Sequence, residues 1–359
     1  MKTEELVLIW FNQNGYSFSK VEKILKNFNK IDDVFNPNLI KNANFDFVSS
    51  EKVKQELMDL DIEKFEKQVE DELCTYGLDV VTFVSDGYPE KLKNIAEPPL
   101  ALYIKGDKSL LNKKSISIVG TRKPTDYGKI VCEKFTKELS SAGLVTISGL
   151  AYGIDTIVAE TTLAVGGKTI AVLGGGLDSI YPSQNKALAE KIVQHGLLVS
   201  EYKPKCKPTK YSFVERNRIV AGLGLGTLIV EAGEASGTMT TAREAIDQGR
   251  ELFVVPGNIY SPQSVGTNNL IDEMPDTFTI SPERILNKLQ IQKAAQTKSQ
   301  VQVDIIENSI LDALSGGEMN FDDLAEKTQI SASVLSSKLI KMEMFGLIKK
   351  GSSNTYFRL

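Results

Sequence analysis

Gly120-Thr121-Arg122 follows the apolar run SISIV and offers backbone N–H groups, a hydroxyl and a guanidinium, a combination suited to bidentate phosphate contact. Three comparable turns follow similar runs: Ser148-Gly149 ahead of GIDT, Gly174-Gly175-Gly176, and Ser236-Gly237-Thr238 beyond VEA. Ser236, Gly237 and Thr238 put hydroxyls and N–H groups at a helix start, an anion cradle. Asp155 in GIDT is placed either to cap a helix or to bind a ligand. The triple glycine either admits a ligand close to the backbone or makes a tight turn. Arg216-Asn217-Arg218 sets two guanidiniums around an amide at the start of a helical stretch containing IVAGLG. With Lys203, Lys205, Lys207 and Lys210, these arginines form a basic stripe within sixteen residues. The chemistry is binding of a multiply charged anion, and neither the dinucleotide fingerprint nor a Walker lysine motif is present to make it a standard nucleotide site.

The elements that must position these turns alternate from Ser115 onward. SISIVG, VTISG, TIAVLG, GLLVSEY, TLIVEA and ELFVVPG are apolar runs of strand length. Between them lie the helical stretches YGKIVCEKFTKELSSAG, IDTIVAETTLAVGG, NKALAEKIVQHG, VERNRIVAGLG and TTAREAIDQG, each ending in glycine. Short connections and strict alternation predict an α/β domain, a Rossmann-like, doubly wound parallel sheet. In such a sheet ligands bind outside the carboxyl ends of the strands, which is where all four turns fall.

Composition removes several alternatives. The chain has 359 residues with a net charge of -4, but residues 1–80 carry 10 Lys+Arg against 16 Asp+Glu while residues 106–288 carry 21 against 19. Acidity thus belongs to the N-terminal segment, and the basic stripe decides phosphate binding. The single histidine, His195, precedes Gly196 at a helix end and reads as a C-terminal cap, which excludes histidine triads and multi-histidine metal sites. Cys74, Cys132 and Cys206 are too few and too dispersed for a disulfide framework or a zinc cluster. No run reads as membrane-spanning or as a signal peptide, so a cytoplasmic protein is expected, with no cofactor.

Around this core two smaller domains are expected. Residues 1–80 show helical spacing in LVLIWF, FSKVEKILKNF and MDLDIEKFEKQVEDEL, a small all-helical domain of SAM or helix-hairpin-helix type whose charge suits protein contact over DNA. DGYPEKLKNIAEPPLALYIKGD reads as an extended lead-in to the Rossmann-like domain, taken as residues 81–286. Residues 287–302 form a polar linker, and residues 303–359 hold three helices and a hairpin, a winged helix. Its third helix sets Lys338 and Lys341 against Glu343, and its wing carries Lys349, Lys350 and Arg358, a poor endowment for reading a DNA groove.

The ordered series GTR, SGLAYGID, AVLGGGLDSIYPSQN, SEY, FVERNRIVAGL, VEAGEASGTMTTA, QGR and VPG, spanning roughly Pro89 to Ile271, resembles the DNA-processing protein A family, also called DprA or Smf. The resemblance implies an extended Rossmann domain that binds single-stranded DNA, dimerises, and loads the recombinase RecA during natural transformation, without catalysis. It implies that Arg122 contacts backbone phosphate beside Gly120 and Thr121, and that Lys186 and the triplet Arg216, Asn217 and Arg218 belong to the same surface. Tyr211 and Phe213 lie near the stripe as candidates for base stacking, with core packing the alternative for Phe213. The chain departs from the family at Ala159, where a histidine is usual, and at Glu273-Met274, where glycine-alanine is usual. A rival resemblance is to Rossmann-like phosphoribohydrolases, in which a PGG-x-GT-x-x-E pattern binds nucleoside monophosphates. Here GEASGTMTT lacks the PGG, and Glu231 is displaced from the expected position.

Overall fold

The computed structural model describes residues 1–45, 50–291, 304–344, 347–351 and 355–358, which form two compact units divided after Lys293. The linker expected over 287–302 lies outside the described residues from 292 onward. Eight strands build one sheet: β1 (Asp79–Thr82), β2 (Ala101–Gly106), β3 (Ser115–Val119), β4 (Val145–Ser148), β5 (Thr169–Leu173), β6 (Leu197–Ser200), β7 (Gly226–Ile229) and β8 (Glu251–Val254). Their order is β1-β2-β6-β5-β4-β3-β7-β8. The six strands from β3 to β8 are parallel, as the apolar runs require, whereas β1 and β2 extend the sheet in antiparallel fashion. The stretch expected as an extended lead-in therefore contains a strand, ALYIKG, which the flanking prolines mask in the sequence.

The chain winds outward from β3 through β4, β5 and β6, then returns to the far side of β3 to lay down β7 and β8. The order reverses between β3 and β7, and this switch point is where a doubly wound sheet opens a crevice. Period-two alternation divides each strand between two helical layers. On β3, Ile116 and Ile118 pack with Phe135 and Leu139 on one face. On the other, the Ser115 and Ser117 hydroxyls donate to the Leu223 and Val220 carbonyls, so a helix sits close against the strand. On β5, Ile170 and Val172 join one core while Ala171 and Leu173 join the other.

Among the described residues six α-helices precede β3: α1 (Thr3–Gln13), α2 (Phe18–Leu25), α3 (Pro37–Asn42), α4 (Ser50–Met58), α5 (Ile62–Tyr76) and the short α6 (Glu90–Lys93). In α1 every residue from Leu6 to Phe11 is buried, so this helix is a core element with no solvent face along that run. Its cluster includes Leu100 and Ala101 next to and within β2, which joins the helical segment to the sheet through shared packing.

Among the described residues seven more α-helices belong to this unit: α7 (Asp126–Ser141), α8 (Ile154–Ala164), α9 (Lys186–His195), α10 (Lys210–Leu223), α11 (Thr238–Asp247), α12 (Val265–Glu273) and α13 (Pro282–Lys288). His195 is the last residue of α9, ahead of Gly196, as its position in the sequence suggests. The second unit comprises α14 (Ile305–Ala313), β9 (Met319–Asn320), α15 (Phe321–Thr328), α16 (Ala332–Met344), β10 (Ile348–Lys350) and β11 (Thr355–Arg358). Its three strands pair in the order β10-β11-β9 over Ile310, Leu324, Leu335 and Leu339, a winged helix.

Candidate nucleic-acid interface

A cavity of about 690 Å³ opens at the switch point, and three of the four strand-end turns supply its walls. Gly120, Thr121 and Arg122 come from the end of β3, Gly149 and Ala151 from the end of β4, Gly233, Ala235, Ser236 and Gly237 from the segment between β7 and α11, and Thr238 from the start of α11. The turn after β5 is filled by the chain itself. A side chain at Gly174 would meet Phe213, and one at Gly175 would meet Pro208, so the triple glycine admits the approach to α10 in place of a ligand.

The remaining wall is one face of α10. This helix begins at Lys210, four residues before the stretch expected from the sequence, because Thr209 caps it: the Ser212 N–H donates to Thr209 Oγ1 at 3.0 Å, and the Thr209 N–H donates to Ser212 Oγ at 2.8 Å. Starting there puts Lys210, Phe213, Val214, Asn217 and Val220 at helical spacing toward the cavity. The Arg122 guanidinium lies 5.7 Å from the Phe213 ring centroid, and the Tyr181 ring packs on Phe213 with centroids 5.5 Å apart and planes inclined at 44°. Arg122 is exposed and Tyr181 is half exposed, so this cation and these rings stand at the mouth.

Arg216 forms the floor. It is only 5% exposed, its guanidinium lies against Gly149, where no Cβ would fit, and Nη1 donates to the Val172 carbonyl. Burial pushes its pKa down, the Asp155 carboxylate opposes that shift, and the Arg122 charge adds to it. Asp155 answers from beneath: its Oδ2 accepts from the Gly149 and Ala151 N–H groups at 3.1 and 3.3 Å. Burial raises the Asp155 pKa, and the Arg216 charge resists this. Of the two roles open to Asp155, the geometry gives it a structural one, tying the β4 turn to the start of α8 beside a buried cation. The α8 start needs Gly153, whose φ of 76° is left-handed and whose Cβ would press on the Arg122 backbone at 2.7 Å.

Ser236 partly fills the anion cradle at α11. Its Oγ accepts from the Thr238 N–H at 3.2 Å and donates to Thr238 Oγ1 at 3.0 Å. Thr121 is likewise engaged, donating from Oγ1 to Gln263 Oε1 at 3.0 Å and from N–H to the Glu231 carbonyl at 2.7 Å. Glu231 itself does not line the cavity. Its carboxylate is 2% exposed and accepts from the Thr125 N–H and hydroxyl at 2.9 and 2.7 Å, at the start of α7. A carboxylate so committed is not presented to a ligand in the crevice.

The cavity therefore brings together Gly120, Thr121, Arg122, Arg216, Asn217, Ser236, Gly237 and Thr238. Lys186 and Arg218 are elsewhere. Lys186 is the exposed first residue of α9, and Arg218 faces away from the cavity, paired with both oxygens of Glu201 at 2.6 and 2.8 Å. Among the stripe lysines, Lys210 lines the cavity, while Lys205 Nζ sits 5.8 Å over the Tyr76 ring. Tyr211 is exposed but is not part of the lining, whereas Phe213 is. Gly149 lines it as the Ser148-Gly149 turn suggests, whereas Lys123, Tyr181 and Gln263 also line it and have no strong local signal in the sequence. Among the described residues no group of His, Cys, Asp and Glu side chains is arranged to hold a metal ion, and no helix is long and apolar enough to cross a membrane.

Comparison with known proteins agrees with this architecture. The profile of the DNA recombination-mediator protein A family matches residues 79–290, and that of the DprA winged helix domain matches residues 294–352. The DNA processing protein DprA of Bacillus subtilis is 40% identical over 248 residues, which cover 66% of this chain and 84% of that protein. Protein Smf of Escherichia coli is 39% identical over 228 residues, 62% of this chain and 61% of that protein. The X-ray structure of DNA processing protein A from Streptococcus pneumoniae superposes with a TM-score of 0.69 at 30% identity, covering 80% of this chain and 98% of the other. A Helicobacter pylori DNA processing protein A, whose structure is described in terms of its single-stranded DNA binding mode, superposes with a TM-score of 0.55 at 33% identity over 60% of this chain and 96% of the other. A sheet with its crevice at the β3/β7 switch point, closed by the arginine-bearing face of α10 and followed by a winged helix, thus makes this chain a member of the DNA recombination-mediator protein A family.

Proposed function

We propose that this chain binds single-stranded DNA without sequence preference along the carboxyl edge of its sheet, protects incoming strands in transformation and recombination, and loads the recombinase RecA onto them. The observation that carries the reading is the exposed Arg122 stacked over Phe213 in front of the buried Arg216. Cations that neutralise phosphates beside an aromatic ring that stacks a base are the two requirements of single-strand binding. Gly120, Thr121, Asn217, Ser236, Gly237 and Thr238 complete the surface, and Lys186, exposed at the first turn of α9 outside the cavity, adds a further phosphate contact.

The protein acts as a cytoplasmic homodimer assembled through the Rossmann-like domain, and it is a binding protein and not a catalyst. Support for the last point comes from Glu231, which is displaced from the hydrolase pattern and whose oxygens are held by Thr125. The winged helix serves partner contact: Lys338 and Lys341 of α16 are engaged by Glu307, and Lys338 also by Asp304.

Titrating single-stranded and duplex oligonucleotides across a salt series tests the binding step. Affinity for the single strand falls steeply with salt and varies little with sequence; salt-insensitive binding or a duplex preference overturns the reading. Pull-down of RecA with and without single-stranded DNA tests the loader step, and failure in both conditions removes it. Incubation with AMP releases no adenine.

A further inference from the structure

Charge in the crevice is concentrated beyond what one passing phosphodiester needs. Arg122, Lys123, Lys210 and Arg216 line it, and among the described residues its only acidic lining group is Asp155, which is turned into the N–H groups of Gly149 and Ala151. The most deeply placed cation, Arg216, is 95% buried by the complement of its 5% exposure, and its Nε has no hydrogen-bond partner. The Asp155 carboxylate balances its charge but bonds to the Gly149 and Ala151 N–H groups, so the Nε donor is left for an acceptor arriving from the cavity. The N-terminus of α11, a ten-residue helix, points its Gly237 and Thr238 into the same space and adds the favourable end of its dipole.

An internal phosphodiester carries one negative charge and is flanked by chain on both sides. Bringing it to the buried Arg216 bends the strand so that chain on both sides climbs back to the level of the exposed Arg122 and Tyr181. A terminal phosphate monoester carries close to two charges at neutral pH and has chain on one side only. It reaches the floor without a hairpin in the strand, while the nucleotide behind it remains at the level of the aromatic rings.

We propose that the switch-point cavity seats a terminal phosphate monoester, so that the protein recognises the end of a single strand as well as its interior. The proposal rests on the single-strand reading above, and it assigns Arg216 to the end phosphate and Arg122 to the strand behind it. A free mononucleotide offers the same phosphate chemistry, and the experiment separates the two sources.

The test compares affinities of the full-length protein for four forms of one oligothymidine: 5′-phosphorylated, 3′-phosphorylated, unphosphorylated linear and circular. At least one phosphorylated end is expected to bind about tenfold tighter than the unphosphorylated and circular forms, the worth of one added charge-assisted hydrogen bond. Arg216→Gln is expected to abolish that ratio, and its thermal melt shows whether it folds; the comparison among the four strands needs no variant. Equal affinity for all four forms overturns the end-recognition proposal and leaves single-strand binding standing. Failure of all four to bind overturns the single-strand reading itself. Thymidine 5′-monophosphate binding as tightly as the phosphorylated strand assigns the cavity to a free nucleotide and overturns recognition of a strand end.

Discussion

Gly149→Ala tests the packing of the buried arginine directly. An ideal Cβ at this position would lie inside 3.0 Å of Cζ and both terminal nitrogens of Arg216, and Gly149 does not have a left-handed φ, so the methyl group itself is the whole perturbation. Two responses are open. If the β4 turn shifts to make room, the cost is that of overpacking, about 1–3 kcal/mol. If the guanidinium is displaced, it loses the Val172 carbonyl and the Asp155 carboxylate loses its nearby cation, a loss that approaches the ~3–5 kcal/mol of breaking a buried pair. An expected value of about 3 kcal/mol lowers Tm by about 6 °C, taking ~2 °C per kcal/mol for a large domain. Gly87→Ala is the control, since its Cβ would meet nothing closer than Val81 Cγ1 at 3.8 Å. That variant is expected to melt at or slightly above the parent temperature. Thermal melts followed by circular dichroism, with single-strand titration of each folded variant, measure both consequences. A Gly149→Ala protein that melts within a degree of Gly87→Ala would refute the placement of Arg216 on the Gly149 backbone.

Four other outcomes follow from the geometry. Arg122→Ala weakens single-strand binding to a similar degree for every sequence and makes the salt slope shallower by about 0.7, one phosphate contact, as read by titration at several salt concentrations. Arg218→Ala leaves Glu201, whose carboxyl is already pushed up by burial, without the Nη2 donor that both its oxygens share and costs about 3 kcal/mol in thermal unfolding, while leaving the salt slope unchanged. A thiol reagent modifies Cys74, which is exposed, well before Cys132, whose pKa burial pushes up to about 12; equal rates in the native protein contradict the packing of α7. In the winged helix, the hydrogen bond from Lys341 holds the Glu307 carboxyl below its ordinary value, so its stabilisation is full above the unfolded value of about 4.3 and is lost as pH falls through the folded one. Protection factors at Ile310 and Leu339, the exchange rates referred to the intrinsic rates that slow toward acid pH, are therefore expected to fall between neutral pH and pH 3.5.

The parallel core of the sheet is legible in the sequence because each strand is buried on both faces and so appears as an unbroken apolar run. ALYIKG is equally apolar and forms β2, yet Pro98 and Pro99 just before it give the segment the composition of a connection. Of the four strand-end turns, three were readable as cavity walls and the fourth was not. Glycines serve both ligands and neighbouring chain, and only the return of Pro208 and Phe213 across the end of β5 decides that Gly174 and Gly175 face protein. Tyr181 shows the same limit: it reaches the cavity through packing on Phe213, thirty-two positions along the chain, and nothing local to YPSQN indicates that contact.

Arg216-Asn217-Arg218 shows how one missing boundary alters a chemical assignment. As a triplet at a helix start, the two arginines look like one phosphate clamp. Once Thr209 and Ser212 fix the start of α10 at Lys210, the triplet lies in the helix interior, where successive residues turn by about 100° and residues two apart diverge by about 200°. With Lys210, Phe213, Val214 and Asn217 toward the cavity, the two arginines must flank that face on opposite sides. Arg216 falls on the side of β5, reaching the Val172 carbonyl, and Arg218 on the side of Glu201. Their distinct surroundings follow from helical phase alone: Arg216 lines the cavity, and Arg218 pairs with Glu201 outside it. A variant that shifted the phase by one residue between Lys210 and Arg216 would exchange those environments, so the spacing from Thr209 to Arg216 constrains the site as strictly as the identity of the arginines.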